Sequence, residues 1–238
     1  MRIETRHDAK DAIADAADLL SGWIAGGAVR QLMVAGGNTP LPLYEAVARR
    51  RLDTSRLFVS VLDEYAGVSN ADPRTCTNLL RANVAEAWGV PPARFFGLSS
   101  DESEAEQAVL AHERRIEEAG GLDAIVLGLG KNGHLGFNEP GRAEDSSAGL
   151  LDLEPASIEA NRRWFASEYA PSRGATVGLR TILSATRVLL LAFGAGKADA
   201  VHAMVRGPRS PSCPASFLRG HLGAYVFLDE LAASRIGR

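Results

Sequence analysis

A chain of 238 residues that is 46% hydrophobic and 23% charged has the composition of an ordinary folded globule, which excludes extended disorder, fibrous repeats and low-complexity tails. A formal charge of −3 gives no general attraction to nucleic acid or to an anionic membrane, so an anionic ligand has to be met by local cations. Cys76 and Cys213 form neither a metal-ligand spacing nor a disulfide framework, and no stretch approaches the roughly 18 consecutive apolar residues of a membrane span; a reducing cytoplasm is the expected location.

The predicted elements alternate along the chain. Residues 8–25 place Ala12, Ala16, Leu19, Leu20, Trp23 and Ile24 at helical spacing, with Asp8 as N-cap and Gly26-Gly27 as the stop. The run QLMVA (31–35) reads as a strand, followed by a helix near 41–51, the strand LFVSVL (57–62), and helices near 75–88 and 102–119. Next come the strand AIVLGL (124–129), a long irregular stretch, the strand VLLLAF (188–193), a helix near 197–206 and the strand AYVFL (224–228). Strands alternating with helices imply parallel crossovers, and runs such as VLLLAF imply strands covered on both faces. The expectation is one layered α/β domain spanning 1–238, with the least periodic segment, 141–160, as a flap.

Ligands of open parallel sheets sit outside the carboxyl ends of the strands. The segment after each strand therefore marks the candidate site: GGNTP, DEY, GKNGHLGFNEP and GAGK. The third begins as Gly128-x-Gly130-x-x-Gly133, the dinucleotide fingerprint, but Gly136, Pro140 and Gly141 stand where the fingerprint needs a helix. In the loop Gly36-Gly37-Asn38-Thr39-Pro40, backbone N–H groups and the Thr39 hydroxyl could cradle an anion, although a plain strand-to-helix turn would read the same. Asp63 ends an apolar strand, where partial desolvation would raise its pKa and suit it to act as a base. His134 precedes Glu139 by five residues, close enough for the carboxylate to orient the imidazole in a turn-rich loop. Neither spacing suits a metal. Arg162, Arg163 and Lys197 are the separate cationic candidates, and Lys197 at a helix start stands where its charge opposes the helix dipole.

Taken together, VAGGNTPLPLYE, VSVLDEYAGV, LGLGKNGHLGFNEPG, NRRWF, TVGLRTILSA, LAFGAGKADAV and PASFLRGH resemble, in order and over nearly the whole length, the glucosamine-6-phosphate deaminase/isomerase family, within the larger group that contains the 6-phosphogluconolactonases. The resemblance implies a three-layer, modified Rossmann-like α/β fold with a central, mostly parallel sheet flanked by helices. The DEY and NGHLGFNEP segments resemble the deaminases, because lactonases show a DER-like segment and DGHTASLFP with no counterpart of Glu139. The implied reaction is glucosamine 6-phosphate plus water to fructose 6-phosphate plus ammonia, with no metal and no cofactor. The other readings are a 6-phosphogluconolactonase, a galactosamine-6-phosphate isomerase and a non-catalytic sugar-phosphate sensor.

By the same resemblance, Asp63 moves the C2 proton to C1 through a cis-enolamine, and His134, assisted by Glu139 and Asn132, opens the pyranose ring. Gly37, Asn38, Thr39, Arg163 and Lys197 bind the phosphate, while Gly36, Gly128 and Gly130 line the sugar. Asn132 stands where some relatives carry Asp; an amide can hydrogen-bond the histidine but cannot stabilise its positive charge. The stretch 141–160 lacks the Ser-Arg-Thr-Arg type of sequence whose basic residues help bind N-acetylglucosamine 6-phosphate in allosteric relatives, so no such activation is expected. The partner is a small hexosamine 6-phosphate, not nucleic acid or membrane, and homo-oligomers occur in the family alongside monomers.

Overall fold

A computed structural model describes residues 1–237. In chain order the elements are β1 (Arg2–Arg6), α1 (Ala9–Ala25), β2 (Gln31–Val34), α2 (Leu41–Ala48), β3 (Phe58–Val61), β4 (Asp63–Tyr65), α3 (Cys76–Leu80), β5 (Phe95–Phe96), α4 (Ala105–Glu118) and β6 (Ala124–Gly128). They continue with β7 (Gly149–Asp152), α5 (Pro155–Trp164), β8 (Arg173–Thr176), α6 (Leu179–Ser184), β9 (Arg187–Ala192), α7 (Ala198–Arg206), β10 (Ala224–Asp229) and α8 (Glu230–Ala233). The helix expected near 75–88 is α3 followed by a π-helical stretch, Arg81–Glu86.

Seven strands form one sheet in the order β1-β10-β9-β6-β2-β3-β5, and every pairing in it is parallel. Alternating side chains build two cores, because successive residues of a strand point to opposite faces. On one face Leu32, Val34, Val126, Leu189, Leu191 and Phe227 pack with Ala12, Ala16 and Leu20 of α1 and with Leu43 and Val47 of α2. On the other, Met33, Ile125, Leu127, Val188, Leu190 and Val226 meet Val109 and Ile116 of α4, Ile182 of α6, and Val201 and Met204 of α7. The result is a three-layer α/β fold with a parallel central sheet, as expected.

Two features differ from the expectation. The sheet has two further strands at its edges, β1 and the two-residue β5, where burial on one side only removes the long apolar run that marks a central strand. A second, antiparallel sheet, β4-β8-β7, joins residues 63–65 to 173–176 and 149–152. The segment 141–160 thus contains β7 and the first part of α5.

Chain order and sheet order together locate the crevice. From β2 the chain moves outward through β3 to β5, then returns to the other side of β2 as β6 and proceeds to β9 and β10. The connections after β2 and β6 therefore leave in opposite directions, the switch point at which open parallel sheets hold ligands. Behind this crevice, buried Glu113 of α4 accepts hydrogen bonds from Ala148 N (2.8 Å), Gly178 N (3.0 Å) and Thr181 Oγ1 (2.6 Å), pinning the start of β7 to the start of α6. Removing a buried carboxylate leaves these donors unpaired. Glu113→Ala should cost about 3–5 kcal/mol in urea unfolding, whereas exchanging the half-exposed Glu117 for Ala should change stability by less than ~1 kcal/mol.

Candidate active site

Four loops meet at the carboxyl edge of the sheet: residues 35–40 after β2, 62–65 after β3, 129–140 after β6 and 193–197 after β9. The loop after β6 is closed by Gly130 N donating to His134 O and Gly133 N donating to Gly130 O, both at 3.0 Å. Its glycines have specific reasons. A Cβ on Gly130 would lie 2.3 Å from the His134 ring, so the imidazole rests directly on that residue. Gly133 has φ +85, and a side chain there would strike Cys213 Sγ at 2.5 Å. The fingerprint spacing therefore makes room for an imidazole and a thiol, and the residues after Gly133 form turn and loop rather than helix.

His134 Nδ1 lies 3.1 Å from Glu139 Oε2. The same carboxylate accepts from Asn132 Nδ2 at 2.7 Å and, on its other oxygen, from Ser157 Oγ of α5 at 2.5 Å. Burial acts to raise the Glu139 pKa, but the hydrogen bond and charge of His134, with the Ser157 and Asn132 bonds, outweigh it and carry the carboxyl down to about 2. An ionised carboxylate only accepts, so Nδ1 carries the proton toward it and Nε2 is left for a ligand. Asn132 takes a different position from the one its motif suggests. Its Oδ1 accepts from the His134 backbone N–H at 3.2 Å, so it braces the loop and the carboxylate instead of the ring.

Asp63 stands against the same loop. It is 8% exposed, begins β4, pairs across to Thr176 and lies near Gly136 of the β6 loop, whose added Cβ would fall 3.2 Å from Asp63 Oδ2. Burial, and then the charge of Glu64, raise its pKa to about 7 against a lowering hydrogen bond from Cys76. Glu64 faces the other way, accepting from Tyr65 N (2.9 Å), Cys76 N (2.9 Å) and Thr77 N (2.7 Å), which fixes the start of α3 beneath the crevice. Burial raises the Glu64 carboxyl as well, opposed by those same donors.

Gly36 and Gly37 precede a turn that runs through exposed Asn38 and half-buried Thr39 to Pro40, at the N-terminus of α2, whose first turn has no side-chain cap. Gly37 has φ +90. A Cβ placed on Gly37, Gly128, Gly194 or Gly196 meets nothing within 4 Å, so these loops present open backbone to the crevice. Lys197 Nζ donates to Leu129 O at 2.5 Å, linking the β9 loop to the β6 loop, and burial followed by the charge of Lys131 lowers its pKa. Arg163, expected on a phosphate, instead pairs with Glu159 one turn back at 3.1 Å, and its side chain is 74% exposed. Helical i,i+4 spacing favours that local partner when no anion competes.

Ser157, Cys76 and Thr176 are site neighbours that the motifs did not reveal. Ser157 falls in the stretch with no periodic signal, and Thr176 meets Asp63 only through antiparallel pairing of segments more than a hundred residues apart. No group of three or more His, Cys, Asp or Glu side chains among the described residues has a metal-binding arrangement.

The sequence matches the model of the glucosamine-6-phosphate isomerase/6-phosphogluconolactonase family over residues 5–227. The chain belongs to this family. Among curated relatives it is 36% identical to a glucosamine-6-phosphate deaminase of Leuconostoc citreum, covering 99% of this chain and 100% of the relative. It is 37% identical to one of Rhodopirellula baltica, covering 100% and 97%. A solved monomeric glucosamine-6-phosphate deaminase superposes with a TM-score of 0.93 at 30% identity, covering 99% of this chain and 100% of that one. The 6-phosphogluconolactonase of Trypanosoma cruzi shares the fold, with a TM-score of 0.81 at 17% identity and coverage of 100% and 97%.

The burial of Asp63 has a stability consequence. Because the folded-state pKa of Asp63 is raised, the native chain keeps a proton that the unfolded chain releases between pH ~4 and 7, so this residue lowers stability as pH rises through that window. Asp63→Asn should raise the unfolding free energy at pH 8 by up to ~4 kcal/mol and change it little at pH ~4, measured by denaturant titration.

Proposed function

We propose that the protein converts glucosamine 6-phosphate and water to fructose 6-phosphate and ammonia. The observation that carries the reading is a buried carboxyl whose pKa sits near 7, placed against the loop that carries an imidazole held by an ionised glutamate. The full-length relatives named as glucosamine-6-phosphate deaminases support it.

Each group has a part. His134 Nε2 gives a proton to the ring oxygen and takes up the C1 hydroxyl proton in its place, which opens the pyranose to the aldehyde; Glu139 holds the imidazole in position through Nδ1. Asp63, ionised, takes the C2 proton to form the cis-enolamine and returns it to C1, leaving an imine at C2. Water adds to that imine and ammonia leaves, giving the ketone. A base with a pKa near 7 can both accept and return the proton at neutral pH, which a carboxylate near 4 does less well. Asn132 and Ser157 position Glu139.

Gly128, whose backbone is open, lines the sugar with Gly36 and Gly130, which back onto Cys76 and the His134 ring, and Gly37, Asn38, Thr39 and Lys197 hold the phosphate at the N-terminus of α2. Arg163 joins them only by releasing Glu159. The reading needs no metal or redox cofactor and assigns neither nucleic acid nor membrane as partner. No helix among the described residues is long and apolar enough to cross a membrane, and the cytoplasm is the proposed location. Glucosamine is preferred to galactosamine on the relatives' names.

A coupled assay for ammonia and fructose 6-phosphate should show equal release of both from glucosamine 6-phosphate, faster than from galactosamine 6-phosphate. The acid limb of kcat/KM should fall with a midpoint near pH 7, because Asp63 must be ionised to act. Asp63→Asn should lower kcat about 10³-fold. Hydrolysis of 6-phosphogluconolactone that survives Asp63→Asn, with no ammonia from any hexosamine phosphate, would overturn the proposal in favour of a lactonase.

A further inference from the structure

Thr176 is fully buried in β8 and lies directly opposite Asp63 in the antiparallel pairing of β4 with β8. Directly opposed residues of such a pair carry their side chains on one face, with Cβ atoms about 5 Å apart. Gly136 of the β6 loop shows how closely the two functional ends approach. A Cβ on that glycine would lie 2.7 Å from Thr176 Oγ1 and 3.2 Å from Asp63 Oδ2, so hydroxyl and carboxyl converge on the same side of one Cα atom. Because residue 136 is a glycine, no side chain holds them apart.

The hydroxyl has no good use for its proton within its own strand. Its contact to Val177 O is 3.3 Å long, beyond the usual range for O–H···O, and that oxygen already accepts from Asn138 Nδ2 at 2.9 Å. Thr176 Oγ1 also accepts from Phe137 N at 3.4 Å, so the residue touches both the loop that carries His134 and the strand that carries the base. A buried hydroxyl normally finds a partner, and an ionised carboxylate is a stronger acceptor than a shared peptide oxygen. The other ionisable groups around Asp63 are Glu64 and Tyr65 on β4, Tyr44 of α2 and Cys76 of α3, and none of these four is a cation. Arg173 of β8 is engaged by Glu102 at 3.2 Å, and His134 by Glu139 at 3.1 Å. A thiol is a weak donor, so the strongest donor on this face of the base is the threonine hydroxyl.

We propose that Thr176 is a positioning residue for the base: its hydroxyl redirects its proton from Val177 O to Asp63 Oδ2 when the carboxyl ionises, leaving Oδ1 to carry the proton from C2 to C1. The role of Oδ1 rests on the deaminase reading of the site, whereas the hydrogen bond does not.

The test titrates the Asp63 carboxyl itself, by NMR of the full chain labelled with carbon-13 at the aspartate carboxyls, with Asp63→Asn identifying the signal. The acid limb of kcat/KM for glucosamine 6-phosphate is followed in parallel. Thr176→Val keeps the shape and removes the hydroxyl, and Thr176→Ser keeps the hydroxyl. Losing a donor to the ionised form raises a carboxyl pKa, so Thr176→Val should move both midpoints up by about one pH unit and lower kcat about tenfold, with KM within about twofold. Thr176→Ser should return both midpoints to those of the parent, which a purely structural role would not do. Thr176→Ala is the second hydroxyl-free variant and gives the same reading if the valine form does not fold. An unchanged Asp63 midpoint in a folded hydroxyl-free variant overturns the inference and leaves the deaminase reading standing. A shifted midpoint in a chain that releases no ammonia from any hexosamine 6-phosphate upholds the hydrogen bond and overturns the deaminase reading, and with it the role of Oδ1.

Discussion

The carboxylate of Glu139 is the knot on which the geometry of the crevice depends. It takes His134 and Asn132 from its own loop and Ser157 from α5, so two distant stretches of chain converge on two oxygen atoms. From there α5 runs to Trp164, whose indole donates to Arg74 O, and Arg74 in turn pairs with Asp72 and Glu168 just before α3. The imidazole is thus tied through α5 to the segment that leads into α3. Charge-assisted bonds with several donors are the strong ones, which is why a single residue can set this arrangement.

Asp63 and Glu64 show how adjacent carboxylates are given different work. Glu64 satisfies its oxygens with three backbone N–H groups and serves as a structural fastening for α3. Asp63 has no backbone donor and keeps the full effect of burial, opposed only by the weaker hydrogen bond of Cys76. The destabilising placement of the second is tolerated because the first holds its strand and the following helix in register. A carboxyl poised near neutrality comes from leaving it under-solvated beside a partner that is fully satisfied.

Much of this was legible in the letters. β2, β3, β6, β9 and β10 are covered on both faces and so appear as short continuous apolar runs, and the parallel order followed from the helices between them. Asp8 caps α1 through Asp11 N, as its placement before an apolar run suggested, and Asp229 caps α8 through Ala232 N. The edge strands and the small antiparallel sheet were not legible, because two to five residues covered on one side leave too little periodicity to read. In the site, Asp63 and His134 were visible as residue types after strand ends, while the partners that orient them were not. Ser157 reaches Glu139 only once α5 is docked, and Arg163 follows its helical neighbour instead of its motif. The glycines were the most informative and the easiest to misread: spacing announces close approach, and only the fold says that the group approaching Gly130 is the protein's own imidazole.

The pairing of β1 with β10 sets an order of events during synthesis. Residues 2–6 lie alongside residues 225–229, so β1 has no hydrogen-bonding partner until β10, more than two hundred residues later, has left the ribosome. β2, β3 and β6 can assemble earlier, since their partners are close in the growing chain and loop closure there is less costly. The N-terminal strand therefore acts as a late clasp: a nascent chain that stops short of β10 carries an unpaired sheet edge at β9 and a free strand at its start. Both are templates for pairing with other chains, which makes the interval before β10 emerges the one in which this fold is most exposed to misassembly.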